Sequence, residues 1–510
     1  MEEKKLKTPV FAMETVFNDS AEIPIDIDFT LPDYCPDVTK ILKCRAVSRI
    51  VSKSTGGRSV TVDGCVTITV MYADADARLC SYEYQYPFSK IFETGTDTDG
   101  TVLRVRTRTE YINCRAVTGR KIDIHGAAGV FVTLCKRKCT EVISDIDDKN
   151  IELLRGSAPA TSPMGMSEKY IIIEEDIEIG QGQPAIQSVL RYDATAAVKE
   201  CKLLNNKVMV KGELVLKILY CPENGIPQMI TDTEPFSQLV EVDGVTDSCE
   251  CDASASVANI ELKPRISAAG EARSFTLNAK LLLCCECYCN NDIDLVLDAF
   301  SRQYNADIVR NDICFNKIVR NINESFSCKK SVTVPDENIT SVSDMWCEVK
   351  TEGVKCEGNE LVISGTVTAS FIVNGSDGEP SYFEKPIEFE YRTQNDVPPD
   401  CLKCEPHFSV MSSSYTMTGA GNVEIRVELS VNAAVYRCSN VSLITDVTID
   451  ENSPVTKSDR GAMTIYFASD GENAWDIARH YLASVADIKQ INDIEENILE
   501  SGKMVLIPMN

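Results

Sequence analysis

Apolar residues occupy every second position in three stretches of the chain. They are Val60, Val62, Gly64, Val66, Ile68, Val70; Val208, Val210, Gly212, Leu214, Leu216, Ile218; and Leu361, Ile363, Gly365, Val367, Ala369, Phe371. A period of two sets one face of a strand against a core and leaves the other to solvent. Each run follows a turn, Thr55-Gly56-Gly57, Asn205-Asn206 or Gly358-Asn359. These residues tolerate positive φ, so each run predicts the second strand of a hairpin. A glycine inside a strand weakens it, and its recurrence predicts a bulge or a close backbone approach.

The spacing of landmarks defines a repeat. Gly64 and Gly212 are 148 positions apart, and Gly212 and Gly365 are 153 apart. Pro36 and Pro184, like Pro87 and Pro235, are separated by 148, whereas Pro184 to Pro335 and Pro235 to Pro386 are each 151. Each unit closes with another alternating run: Ile122 to Leu134, Phe275 to Cys285, and Val423 to Tyr436. We therefore expect β repeats at about 22–146, 170–303 and 320–450, each an antiparallel β-sandwich or related double sheet. Such a spacing exceeds solenoid periods of about 20–50 residues, so beads on a string is the expected arrangement. The expected linkers are Gly156 to Ser167 and Glu451 to Gly461.

The last fifty or so residues follow another pattern. Met463, Ile465 and Phe467 alternate as a strand, and Asn473 is placed to cap a helix burying Trp475, Ala478, Tyr481 and Leu482. Ser484 with Asp487 opens a second helix, and Met504 to Ile507 forms a closing strand before Pro508. The predicted order over 463–508 is β-α-α-β. The fold class is thus mainly β, with three sandwich-like repeats and a small C-terminal βααβ unit.

Composition narrows the function. The 510 residues carry 51 Lys+Arg against 77 Asp+Glu, a formal charge of -26. Such a surface repels phosphate backbones, so nucleic acid is not an expected partner. The first fourteen residues lack a signal-peptide apolar core, and no run of 18 apolar residues predicts a membrane span. We expect an intracellular chain whose 22 cysteines are buried hydrophobes or free thiols.

Two resemblances add to this. Asp470-Gly471-Glu472-Asn473-Ala474-Trp475-Asp476-Ile477-Ala478, Ser484-Val485, Ile491-Asn492 and Ser501-Gly502-Lys503-Met504-Val505-Leu506-Ile507-Pro508 resemble a LysM domain. The family usually has Asp-Thr-Leu where this chain has Glu472-Asn473-Ala474, and often Gln where Lys503 stands. The repeats resemble the SPOCS domain of spore-coat-associated proteins, through Leu31-Pro32-Asp33-Tyr34 with Pro36-Asp37-Val38, and through Pro184 to Ala194. SPOCS units followed by one LysM domain is the layout of clostridial SipL-like sporulation proteins. The resemblance implies a non-enzymatic scaffold of the spore envelope, in the cytoplasm on the mother-cell side of the forespore. Its implied partners are the morphogenetic ATPase of the spore coat or other coat proteins. The alternative is a cell-wall protein that binds peptidoglycan through N-acetylglucosamine.

In glycan-binding LysM relatives the groove lies between the loop before helix one and the loop after helix two. Here those loops are Asp470, Gly471, Glu472, Asn473, Ala474 and Asn492, Asp493, Ile494, Ile498. Asn473 and Asn492 offer amides to a sugar, although capping is the commoner use of Asn473. Eight acids (Asp470, Glu472, Asp476, Asp487, Asp493, Glu495, Glu496, Glu500) outnumber three bases (Arg479, Lys489, Lys503), which disfavours acidic peptidoglycan and favours a basic protein surface.

Metal and catalytic signals are thin. Cys401-x2-Cys404-x2-His407 is half of a zinc spacing without its second pair, and Cys285, Cys287 and Cys289 share one strand face. The three histidines, His125, His407 and His480, fall in different expected domains. No P-loop, HExxH, GxSxG or complete GxGxxG occurs. No cofactor, metal or catalytic residue is expected. A carboxylate-only glycosidase leaves no local motif and stands as the third function class.

Overall fold

The computed structural model describes residues 5–508 except 149, 268–269, 335–338, 377, 420–421, 456–461 and 495–497. The landmark Pro335, the end of the expected second linker and the acids Glu495 and Glu496 lie outside the described residues.

The first repeat comprises β1 (Lys5–Thr30), β2 (Lys40–Gly56), β3 (Ser59–Ala73), β4 (Leu79–Glu93), β5 (Thr101–Ala116) and β6 (Lys121–Ile146). The meander β2-β3-β4 forms one antiparallel sheet and β1-β6-β5 the other. Their facing sides meet in one core that includes Ile25, Val62, Ile68, Tyr72, Ile124 and Val132. The second repeat has the same plan: β7 (Ile151–Glu178), β8 (Ile186–Leu204), β9 (Lys207–Pro222), β10 (Gln228–Glu241), β11 (Glu250–Ile266) and β12 (Ala272–Ser301). The third runs β13 (Tyr304–Thr333), β14 (Ile339–Glu357), β15 (Glu360–Gly375), β16 (Pro380–Gln394), β17 (Leu402–Cys404), β18 (His407–Gly419) and β19 (Asn422–Pro454). There β17 and β18 together line the edge of β19 that β5 and β11 fill in the earlier copies. A two-stranded sheet of β20 (Met463–Phe467) and β21 (Met504–Pro508) with helices α1 (Ala474–Tyr481) and α2 (Val485–Ile491) completes the chain. The protein is mainly β, as the alternation predicts.

The strand glycines serve both expected purposes. Gly64, Gly212 and Gly365 face Phe88, Phe236 and Phe389 across the sheet. A Cβ on any of the three would come within 3.0 Å of that ring and of a carbonyl oxygen on the neighbouring strand. The neighbouring strand carries an extra residue opposite each glycine, at Val51, Lys199 and Glu352. A bulge bends the strand, and only glycine leaves room for the ring laid over it. Pro386 is not the equivalent of Pro235: it pairs with Thr368, two positions from where the glycine register places the equivalent. Pro36 and Pro184 are equivalent, since each accepts a hydrogen bond at 3.2 Å from a buried tyrosine, Tyr72 or Tyr220.

Beads on a string is not the arrangement. The repeats close on one another around a pseudo-threefold axis, seen in contacts between residues that occupy the same place in different copies. Met71, Leu219 and Ile372 are such a set, buried together with Leu42, Leu190 and Trp346 on the outer faces of the three meanders. Leu42 and Leu190 are bulge residues that turn toward this cluster. Around it, Arg45 pairs with Asp193 of the second copy and, at 2.9 Å, with Glu348 of the third. Arg191 holds Asp344 at 2.7 Å and lies 5.1 Å from the Trp346 ring, while Lys43 reaches Glu384 at 3.0 Å. Arg45 and Asp193 differ by 148, and Arg191 and Asp344 by 153, so each pair joins one repeat position to the same position in the next copy. Such contacts form only beside a rotation axis.

The first and last strands of each repeat extend past its sandwich as a two-stranded ribbon. The step out is a bulge at Val16, Met164 and Val319. The three ribbons pack in two further apolar clusters, one around Val10, Val142, Leu295, Phe315 and Leu443, the other around Ile143, Ile151, Val296 and Ile444. The expected linker Gly156 to Ser167 lies inside β7, in one of these ribbons, because its partner β12 continues beside it. Gly156 is tied to that packing, since a Cβ there would meet the Leu297 side chain. Ion pairs join each ribbon to the next: Arg155 to Asp145 at 2.5 Å, Arg310 to Asp298, and Lys5 to Asp446 at 2.9 Å.

Candidate interaction site

The C-terminal unit folds as its sequence predicts at both helix starts. Asn473 accepts a hydrogen bond from the Asp476 amide at 2.7 Å, and Ser484 accepts one from the Asp487 amide at 3.2 Å. Ala474, Ile477, Ala478, Ile488, Val505 and Ile507 fill its core.

The loop residues proposed for a ligand are mostly committed to this fold. Besides capping α1, Asn473 forms a β-bridge with Ile498. Asn492 donates to the carbonyls of Ile488 at 2.8 Å and Leu506 at 2.7 Å, and accepts from the Leu506 amide at 2.7 Å. Its amide ties the end of α2 to the closing strand and has no donor left for a ligand. Glu472 accepts from the Tyr466 hydroxyl at 2.8 Å and the Ser469 amide at 2.9 Å. Ala474 and Ile494 are buried. Gly471 and Asp493 make turns at φ 75° and 50°. Asp470, Gly471, Asp493 and Ile498 remain exposed.

Alternation along β20 runs opposite to a core strand. Met463, Ile465 and Phe467 point outward, and Met504 of β21, paired with Phe467, joins them. Ile465 and Phe467 are 60% and 65% exposed, so this small sheet presents an apolar outer face.

Trp475 has a second role that its expected place in the core does not reveal. Its ring packs edge-on to Phe300 at 5.0 Å, and Leu154 and Phe300 of the second repeat extend the small unit's core. The Trp475 Nε1 and Arg479 Nη1 donate to Asp298 at 2.9 and 2.7 Å, while Arg310 takes the other carboxylate oxygen. The C-terminal unit is therefore seated where the ribbons of the second and third repeats meet. Sequence reading missed Asp298. The signal for it is positional: Asp145, Asp298 and Asp446 recur at spacings of 153 and 148.

Among the described residues, Cys401, Cys404 and His407 are not gathered into a ligand set. The group whose donor atoms all lie within 4.8 Å of one another is Asp26, Asp123 and His125, on exposed strand surface. There His125 approaches Asp26 at 3.2 Å and Asp123 at 3.3 Å, while Arg115 already pairs with Asp123. The thiols cluster in the second repeat, where Cys251 lies beside Cys201, Cys285 and Cys287. These contacts and burial push the Cys251 pKa up, which leaves it a poor nucleophile. Cys249 and Cys289 form a disulfide, contrary to the expectation of free thiols throughout. The register continued from Cys251 and Cys287 sets their Cα atoms 4.5 Å apart, within bridging range.

Among the described residues no helix is long and apolar enough to cross a membrane. Against known families, residues 37–117 and 185–264 match the model of the SipL, SPOCS domain. The chain carries two copies of that domain, each spanning strands two to five of a repeat: β2–β5 and β8–β11. Comparison with curated proteins and with solved structures gives no match.

Proposed function

We propose that this protein is a non-enzymatic scaffold of spore-coat assembly, held at the forespore surface on its mother-cell side by protein contacts made partly through its C-terminal unit. The two SPOCS copies support a coat-associated role. The C-terminal unit is read as a LysM domain on its residue pattern and its βααβ order. Its partner on this reading is the coat's morphogenetic ATPase or another coat protein.

One observation carries the choice of protein over glycan. Of the two amides offered to a sugar, that of Asn492 is fully engaged in an inter-element clamp, and the oxygen of Asn473 is taken by its helix cap. What the unit offers instead is the apolar face of Ile465, Phe467 and Met504, the kind of surface that protein contacts cover. The ring of repeats supplies a rigid platform on which several modest contacts add through effective concentration.

The test is affinity purification of the full-length protein from sporulating cells, with mass spectrometry of the retained proteins, beside co-sedimentation with purified peptidoglycan. Recovery of coat proteins with no sedimentation supports the reading. Retention on peptidoglycan without coat proteins overturns it in favour of the wall-binding alternative.

A further inference from the structure

Each sandwich has one open side, where the first strand of one sheet and the last strand of the other face each other as unpaired edges: β1 with β4, β7 with β10, β13 with β16. The molecule holds three versions of this opening, and two are plugged. In the first repeat Phe29 stacks on Tyr82 and Tyr84, each at 5.3 Å, and the Tyr86 hydroxyl donates across the gap to the Pro24 carbonyl at 3.2 Å. In the third, Phe326 packs on Tyr391 at 5.3 Å and Phe389 at 5.7 Å, and the Tyr391 hydroxyl donates to Glu324 at 2.7 Å.

The second repeat lacks the aromatic plug; Lys169 crosses there instead, its Nζ donating to Gln238 Oε1 and to the Leu239 carbonyl, both at 3.0 Å. The glycine–phenylalanine register places Asp232 and Glu234 where the first repeat has Tyr84 and Tyr86. Where the third repeat has Phe326, opposite Leu429, the second has Ile171, opposite the equivalent Leu281. The result is an open groove of about 590 Å³ between Ile171–Glu175 of β7 and Pro235–Gln238 of β10. Its floor includes the buried side chains of Ile171 and Phe236. Glu174 and Glu175 line one side, and Asp232 and Glu234 precede the Pro235–Gln238 wall along β10. Burial, a hydrogen bond to Asp232 and the charges of Asp232 and Glu175 raise the Glu234 pKa.

We propose that this groove accepts an extended, basic segment of a partner protein, which adds as a strand to the free edge of β7. The edge chemistry selects the strand: β7 pairs with β12 alone among described strands, leaving alternate N–H and C=O groups outward, whereas Pro235 blunts the opposing edge of β10. Alternation does the rest. In a strand laid there, the inward side chains meet Ile171 and Phe236 together with Glu175, Asp232 and Glu234, which share that face by the period of two, and the outward ones pass Glu174. The partner is therefore an extended segment that combines basic and apolar residues. The site is remote from the C-terminal unit and stands or falls apart from its proposed docking role.

The test uses the full-length protein and a fluorescent, end-capped nonapeptide of alternating Lys and Val, with alternating Glu and Val as control, read by anisotropy at low and physiological salt. Two variants probe the groove. D232Y/E234Y restores the ring positions of the first repeat, and E174Q/E175Q removes exposed rim charge where folding is not at stake. The Lys-Val peptide should bind, weaken with salt, and lose about three- to tenfold in affinity in E174Q/E175Q and more in D232Y/E234Y. No measurable binding, equal binding of the Glu-Val peptide, or unchanged affinity in E174Q/E175Q would overturn the proposal, whether or not the tyrosine variant folds.

Discussion

The Asp298 carboxylate of the second repeat accepts a hydrogen bond at 2.9 Å from the indole of Trp475 in the C-terminal unit, 177 positions further along the chain. The same carboxylate takes Arg479 and Arg310, so one buried side chain joins two repeats to the terminal unit. Asp298→Ala would strand an indole N–H and the Arg310 charge. It should cost about 3 kcal/mol in the unfolding of the full chain and hasten tryptic release of the terminal unit. An unchanged proteolysis pattern would mean that the seat contributes nothing.

Closure of the ring makes a sharper demand. Arg191 and Asp344 are almost wholly buried and belong to different repeats. Asp344→Ala leaves the guanidinium without one of its two carboxylates and should destabilise by about 3–5 kcal/mol, whereas R191L/D344L should recover much of the loss. Urea titration of the three proteins checks the order. If Asp344→Ala matched the wild type, the axis contact would be incidental.

Asp193 sets the behaviour in acid. Burial acts to raise its pKa, but Arg191 and Arg45 outweigh burial and hold the carboxyl well below the usual range. A folded pKa below the unfolded value contributes stability that is present above about pH 4 and lost as pH falls toward the folded value. Asp193→Asn should therefore be less stable than wild type at neutral pH by an amount that holds steady to about pH 5 and shrinks in stronger acid. Urea midpoints from neutral pH downward measure this; a gap that widened in acid would contradict the assignment.

Asn492 separates the two readings of the terminal unit. Its amide makes three hydrogen bonds within the unit, so Asn492→Ala should destabilise that unit by about 2–3 kcal/mol. Thermal unfolding followed by Trp475 fluorescence reads the loss. A variant that folds like wild type yet loses a glycan ligand would restore the sugar-binding role.

Much of this architecture was legible in the alternation of side chains. The runs around Gly64, Gly212 and Gly365 gave the hairpins and the repeat, and Asn473 and Ser484 gave the helix starts, because those signals are local. What escaped was arrangement between copies. Gly156 to Ser167 reads as a linker from its small residues, yet it is held by pairing with β12, more than a hundred positions away. The charged strand residues Arg45, Arg191, Asp193 and Asp344 would face solvent on an isolated sandwich. Their separation by one repeat length carried the information, but only a closed ring gives that coincidence meaning. Asp298 was hidden for the same reason, and Asn492 because its partner is the backbone of a strand fourteen residues on.

The claim on which the functional account rests is that the terminal unit carries the ring to its place of work. Fluorescent fusions of the full chain and of a chain lacking residues 463–510, imaged in sporulating cells and matched for protein level, test it most directly. The full chain should encircle the forespore and the shortened chain should spread through the mother cell. A shortened chain that still encircles the forespore would contradict it.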